Sequence, residues 1–202
     1  MLGLLKQFDY FLFSMINFHW NNPVFDFLLP MFRNKYFWSP FYVFLIVFMI
    51  INFKKKGLLI ILFIIVTVFI TDQLSSAVIK PIFHRLRPCN DMNLVEHIRV
   101  LAGCSGSYSF PSSHATNHFA VAFFLINLFY SRFRWTGPVL FLWALSVAYA
   151  QVYVGLHFPI DIIGGGIIGG FIGFYMAKLS KRWVGFDISL PDKSGKKVMS
   201  NE

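Results

Sequence analysis

Charge is what this 202-residue chain has least of. Charged residues make up 13% of it, against roughly 25% in a soluble globular domain. With so few, it is unable to cover a water-facing surface. So hydrophobic a composition also excludes a disordered chain and a nucleic-acid module. Two cysteines are too few for a secreted domain stapled by disulfides. No internal repeat stands out. The start lacks a basic stretch leading into a compact apolar run and a small-residue cleavage site, so a cleaved signal peptide is not expected. What is present is apolar: 56% of residues are hydrophobic and 26 are Phe. The expectation is a small polytopic membrane protein.

A net charge of +9 invites a nucleic-acid partner, but the placement of the charges argues for topology instead. Lys54, Lys55 and Lys56 form one cluster, and Arg132 and Arg134 a second. Lys178, Lys181, Arg182, Lys193, Lys196 and Lys197 lie towards the C-terminus. All sit at the ends of apolar segments or beyond the last one, as the positive-inside rule places them.

Five apolar segments, at about 37–53, 58–79, 115–130, 136–153 and 160–177, are near the length needed to cross a hydrocarbon layer of roughly 30 Å. Backbone hydrogen bonding in lipid makes them helices. The expected fold is therefore an all-α membrane bundle. It divides into an N-terminal part (1–36), a core (37–180) and a polar cytoplasmic tail (181–202). In the first part Asp9, Asn17, His19 and Asp26 interrupt the apolar pattern. Two short amphipathic helices broken at Asn21-Asn22-Pro23 are expected, with a sixth, bent span as the alternative. Alternating the five segments puts the basic clusters on the cytoplasmic side. Arg33, Lys35, the 80–113 loop and the turn at His157 go to the opposite side. The basic residues of that loop, Lys80, Arg85, Arg87 and Arg99, run against the topological bias, and binding an anion is the simplest reason.

Three polar patches fall at that outer face: Lys80 to Pro88, Phe110 to His114, and Gly155 to Asp161. Lys80 and Arg87 offer a point cation and a planar fork to one phosphate. Pro88 holds Arg87 on extended backbone. Ser112 or Ser113 suits the cap of a helix whose free amides face the pocket, with His114 in its first turn. His157 and Asp161, four apart, are placed for a carboxylate to hold one ring nitrogen and leave the other free to attack. Two His and one Asp also match a zinc site, but Lys80 and Arg87 would repel the metal. Asp72, inside an apolar span, is expected to partner a loop cation or to position Lys80. His118 reads as a packing residue, and His84 and His97 have no assignment. Cys89 and Cys104 are either bridged across the outer loop or two free thiols, with the bridge favoured. The glycines from Gly164 to Gly173 allow close helix packing.

These patches resemble the type 2 phosphatidic acid phosphatase (PAP2) superfamily. Its first motif, Lys, six residues, Arg-Pro, matches Lys80 to Pro88. Its second, Pro-Ser-Gly-His, matches Pro111 to His114 with Ser113 in place of Gly. The third, Ser-Arg, five residues, His, three residues, Asp, matches at His157 and Asp161 but has Ala150-Gln151 where Ser-Arg stands.

The resemblance implies that His157 attacks phosphorus to form a phosphohistidine and Asp161 orients it. His114 would protonate the leaving oxygen. Lys80, Arg87, Ser112, Ser113 and Gln151 would hold the phosphate, with no metal and no cofactor. An arginine lost at 151 would cost about 2–4 kcal/mol of transition-state binding, and Arg85 and Arg99 are the expected compensating cations. The implied partner is a lipid phosphate or diphosphate at the outer leaflet of a bacterial inner membrane. Undecaprenyl diphosphate comes first, followed by the phosphates of phosphatidylglycerol phosphate, phosphatidate and lipid A. A lipid phosphotransferase and a non-catalytic lipid binder are the rivals. Oligomeric state leaves no signal in the sequence.

Overall fold

A computed structural model describes residues 2–92, 94 and 98–186. His97 and the tail from 187 onward lie outside the described residues. All regular structure among them is helical: α1 (Leu2–Ser14), α2 (Pro23–Arg33), α3 (Ser39–Gln73), α4 (Lys80–Phe83), α5 (Ser113–Phe129), α6 (Thr136–Tyr153) and α7 (Pro159–Val184). Wide turns at Met15–His19 and Leu74–Ile79 extend α1 and α3.

The expected break at Asn21-Asn22-Pro23 is present. Asn22 caps α2 by accepting the Phe25 amide, and Pro23 opens the helix where no amide hydrogen is needed. α3 is two limbs, because Lys54 takes a left-handed φ of 50°. Tyr42 meets His118 and Phe53 meets Phe129, so the first limb runs alongside α5. Thr71 then returns to Asn117, so the second limb runs back. Gly57 permits this reversal, since a Cβ there would lie 2.0 Å from the Met49 carbonyl oxygen. Three helical stretches among the described residues are long and apolar enough to cross a membrane: Ser39–Phe83, Thr136–Tyr153 and Pro159–Val184. α5 is one residue shorter than the second of these.

α5 and α7 run parallel in close contact at the centre. Cβ atoms added to Gly165, Gly169 or Gly173 would fall 2.7, 2.0 and 2.1 Å from the carbonyl oxygens of Ser112, Thr116 and Ala120. This is the small-residue stripe by which helices approach backbone to backbone. The last apolar segment was expected to end near Ala177, yet α7 runs to Val184. Ala177 and Ser180 stay buried while Lys178 lies along the Phe174 ring, so the lysines decorate the helix without ending it. Gly185, with φ of +58°, ends it. Lys56 donates to the Gly185 carbonyl, which gathers two of the basic clusters at one end of the bundle. The three polar patches gather at the other.

Candidate active site

Pro159 opens α7 and Asp161 occupies its third position, so its carboxylate bends back to the Phe158 amide at 2.8 Å. That leaves His157 just outside the helix, on a turn held by its own amide and that of Leu156, both donating to the Gln151 carbonyl. His157 is 2% exposed and Asp161 fully buried.

Nδ1 of His157 lies 3.6 Å from Asp161 Oδ2, longer than a hydrogen bond. Ser109 closes the gap: its Oγ is 3.3 Å from Nδ1 and donates to Asp161 Oδ2. On the other side, Nε2 lies 3.0 Å from Arg87 NH1. An arginine only donates, so Nε2 carries the lone pair and Nδ1 the proton. This is the tautomer a nucleophilic imidazole requires. Burial pushes the pKa of His157 down to about 4, with the Asp161 carboxylate opposing and Arg87 and Lys80 reinforcing the shift.

Arg87 sits on extended backbone before Pro88, as expected, with φ −76° and ψ 155°. Its fork is fixed by the Ser107 carbonyl and hydroxyl, both at 2.9 Å, and by the Leu156 carbonyl. Cys89 and Cys104 are bridged, with Cα atoms 6.2 Å apart, and the bridge joins the chain just after Arg87 to the chain just before Ser107. Lys80 is buried, and its ammonium has no hydrogen bond or ion pair among the described residues. Ser112 caps α5, and its amide donates to the Asp161 carbonyl, which ties the two helix starts together. The Ser113 hydroxyl faces Ser75 and Ser76, each at 3.0 Å. His114, in the first turn of α5, lines a cavity of about 530 Å³. Lys35, Asp72, Ser113 and Asn117 share that wall, while Leu45, Ile64 and Val68 continue it as an apolar face.

Three of the expected auxiliary residues are engaged elsewhere. Arg85 spans Asp9 and Asp161, the latter at 2.8 Å, and lies 4.2 Å over the Phe158 ring. Two buried carboxylates leave it no spare charge. Arg99 is likewise engaged by Asp26, which also accepts from Tyr153 at 2.6 Å. Asp72 is bonded to the Asn117 amide at 3.1 Å and ties α3 to α5, and no cation pairs with it among the described residues. His118 packs as expected, between the His114 carbonyl and the Tyr42 hydroxyl.

Three participants were missed. Ser109 stands two residues before the second motif. Asp9 reads in sequence only as a polar interruption. Arg33 was noted as an outer cation without a role, yet its Nε donates to Gln151 Oε1 at 3.3 Å.

The fold and site define a helical membrane protein whose buried histidine is held between a carboxylate and a guanidinium at one end of the bundle. A profile of the PAP2 superfamily matches residues 56–184, and the chain belongs to that superfamily. It is 36% identical over 157 residues to a lipid A 4'-phosphatase of Bacteroides thetaiotaomicron, covering 76% of this chain and 69% of that protein. An undecaprenyl-diphosphatase of Sulfolobus acidocaldarius is 26% identical over 151 residues, covering 75% of this chain and 67% of that one. Among solved structures, Aquifex aeolicus LpxE superposes with a TM-score of 0.63 at 29% identity, covering 83% of this chain and 93% of its own.

Proposed function

We propose that the protein is a membrane lipid phosphatase acting through a phosphohistidine, with the Nε2 lone pair of His157 as the nucleophile. The observation that carries this reading is the enforced tautomer: Arg87 on Nε2, and Ser109 and Asp161 behind Nδ1. Arg87 moves from Nε2 to the phosphate oxygens when substrate enters. Nε2 then attacks phosphorus as the bond to the lipid oxygen breaks, and His114 gives that oxygen its proton. His114 next takes a proton from water, whose oxygen attacks phosphorus. The P–N bond breaks, and phosphate leaves. Lys80, Arg87 and the free amides at the start of α5 stabilise the charge of the transferring group, so the chemistry calls for no metal.

The leading substrate is a phosphate monoester on a saccharide lipid of the lipid A type. The wall beside His114 supports this, because Asp72, Asn117 and Lys35 suit sugar hydroxyls better than a hydrocarbon leaving group. The relative at 36% identity points the same way. A prenyl diphosphate is the second reading, favoured by the apolar continuation of the cavity and by the 26% relative. The bridged Cys89 and Cys104 support a site facing an oxidising compartment, outside the cytoplasmic membrane.

The test is phosphate release with chelator present from lipid A 4'-phosphate, undecaprenyl diphosphate and phosphatidylglycerol phosphate, by wild type and His157→Ala. Release confined to wild type, fastest on the saccharide lipid, is expected. Equal release by both proteins would overturn the mechanism, and a preference for the prenyl diphosphate would replace the substrate.

A further inference from the structure

The third family motif carries an arginine where this chain has Gln151, so α6 lacks one cation of the expected phosphate site. The structure holds a guanidinium at that place from another helix. Arg33, the last residue of α2, donates its Nε to Gln151 Oε1 at 3.3 Å. Because a guanidinium has no acceptor, this contact also fixes the amide, with Oε1 towards Arg33 and Nε2 turned away. That Nε2 is buried without a hydrogen-bond partner. The Arg33 guanidinium makes no other hydrogen bond and has no carboxylate within ion-pair distance among the described residues.

The contrast with its neighbours is informative. Arg85 and Arg99 are each neutralised by aspartates. Arg33, Arg87 and Lys80 have no such partner among the described residues, and the Gln151 that Arg33 contacts accepts the His157 amide on its own carbonyl. Three unneutralised cations and one orphaned amide all lack the same thing, an acceptor with several oxygens. α2 is held in register for this by Tyr153, two residues from Gln151, whose hydroxyl donates to Asp26 and accepts from the Asn22 amide.

We propose that Arg33 is a phosphate-binding residue that replaces the arginine absent at position 151, with Gln151 orienting its fork and donating Nε2–H to the same group. This rests on the phosphatase reading, and makes α2 part of the site. A planar fork grips two oxygens of one phosphoryl group, which a lysine at position 33 would reproduce only as a point charge.

The test uses inorganic phosphate binding to the full detergent-solubilised chain, followed by calorimetry, alongside lipid phosphate release. Arg33→Ala is expected to weaken phosphate binding at least tenfold and to slow release about 100-fold, the cost of one charge-assisted contact to the transferring group. Arg33→Ala/Gln151→Arg returns the cation to α6 and is expected to restore both. Thermal unfolding of both variants separates the role from folding: the loss of phosphate binding in Arg33→Ala is expected with Tm kept, and a loss that only follows a fall in Tm would overturn the proposal. Phosphate binding unchanged in Arg33→Ala, or a loss that Gln151→Arg leaves unrepaired, would overturn the proposal. Phosphate binding that follows this pattern in a chain hydrolysing no lipid would leave Arg33 in place and sink the phosphatase reading instead.

Discussion

The Ser109 hydroxyl lies 3.3 Å from Nδ1 of His157, nearer than the carboxylate of Asp161 at 3.6 Å. The proton on Nδ1 is therefore held by a serine that in turn donates to the aspartate. Ser109→Ala removes the intermediary but leaves Asp161 close enough to take the contact after a small shift. Turnover is expected to fall about three- to tenfold, the worth of one hydrogen bond. Asp161→Ala is expected to cost far more. Equal losses from the two substitutions, measured as kcat at saturating lipid, would show that the serine is no mere intermediary.

The same geometry sets a pH dependence. Attack needs neutral His157, and burial lowers its pKa to about 4. The acidic limb of kcat/KM should therefore lie near pH 4, well below an ordinary histidine. Asp161 favours the imidazolium, so Asp161→Asn lowers the pKa and moves that limb to still lower pH even as the rate falls. A limb at pH 6 to 7 in the wild type that Asp161→Asn moves downward would show that His157 is more hydrated than its burial implies.

Arg85 was expected to touch phosphate but bridges Asp9 and Asp161. Both carboxylates are fully buried, and Asp9 also accepts the Ile160 amide at 2.9 Å, pinning α1 to the start of α7. Arg85→Ala strands two buried acids and should destabilise the protein by about 3 kcal/mol. Arg85→Ala/Asp9→Asn should recover part of this. Thermal unfolding in detergent measures both. A variant that keeps its Tm and loses only substrate affinity would return Arg85 to the phosphate.

The chemistry of this site was legible where one short stretch of chain carries it. Lys80 and Arg87, Ser112 to His114, and His157 with Asp161 are each spaced by local geometry, and the alternation of apolar segments put all three at one face. What escaped was long-range. Arg33 and Gln151 are 118 residues apart, and Ser109 and His157 are 48 apart. No periodicity or motif relates such pairs before the bundle is assembled. The pairing of Arg85 escaped for the same reason: whether a cation is spare depends on which acids surround it, and Asp9 comes from the far end of the chain. The outward placement of Arg33 was the one available signal, since a cation against the topological bias needs a reason to be there.

The bridge between Cys89 and Cys104 closes a separation of 15 residues, and just outside it Arg87 is fixed by Ser107. Loop-closure entropy puts its contribution at about 3 kcal/mol. Reduction in detergent should lower Tm and also weaken phosphate binding, because the Ser107 contacts loosen. In intact cells or spheroplasts, a membrane-impermeant reductant followed by an impermeant maleimide should label both thiols from outside. Labelling only after lysis would place the site on the cytoplasmic side.

The glycine stripe allows a sharper test of what holds the site together. A Cβ on Gly169 would meet the Thr116 carbonyl oxygen at 2.0 Å, whereas one on Gly166 would meet only the edge of the Phe119 ring at 3.3 Å. Backbone is unable to yield as a ring does, so Gly169→Ala must push α7 off α5 while Gly166→Ala needs a few tenths of an ångström from one side chain. Gly169→Ala should lower stability by about 3 kcal/mol and Gly166→Ala by under about 1 kcal/mol, read as thermal unfolding. The functional consequence follows from the helix starts. The Ser112 amide donates to the Asp161 carbonyl one turn above the contact, so separating the helices also separates the cap of α5 from the carboxylate that orients His157. Gly169→Ala should therefore lose phosphate release below its unfolding temperature. Full activity up to that temperature would mean that the two helix starts are held by the loops alone.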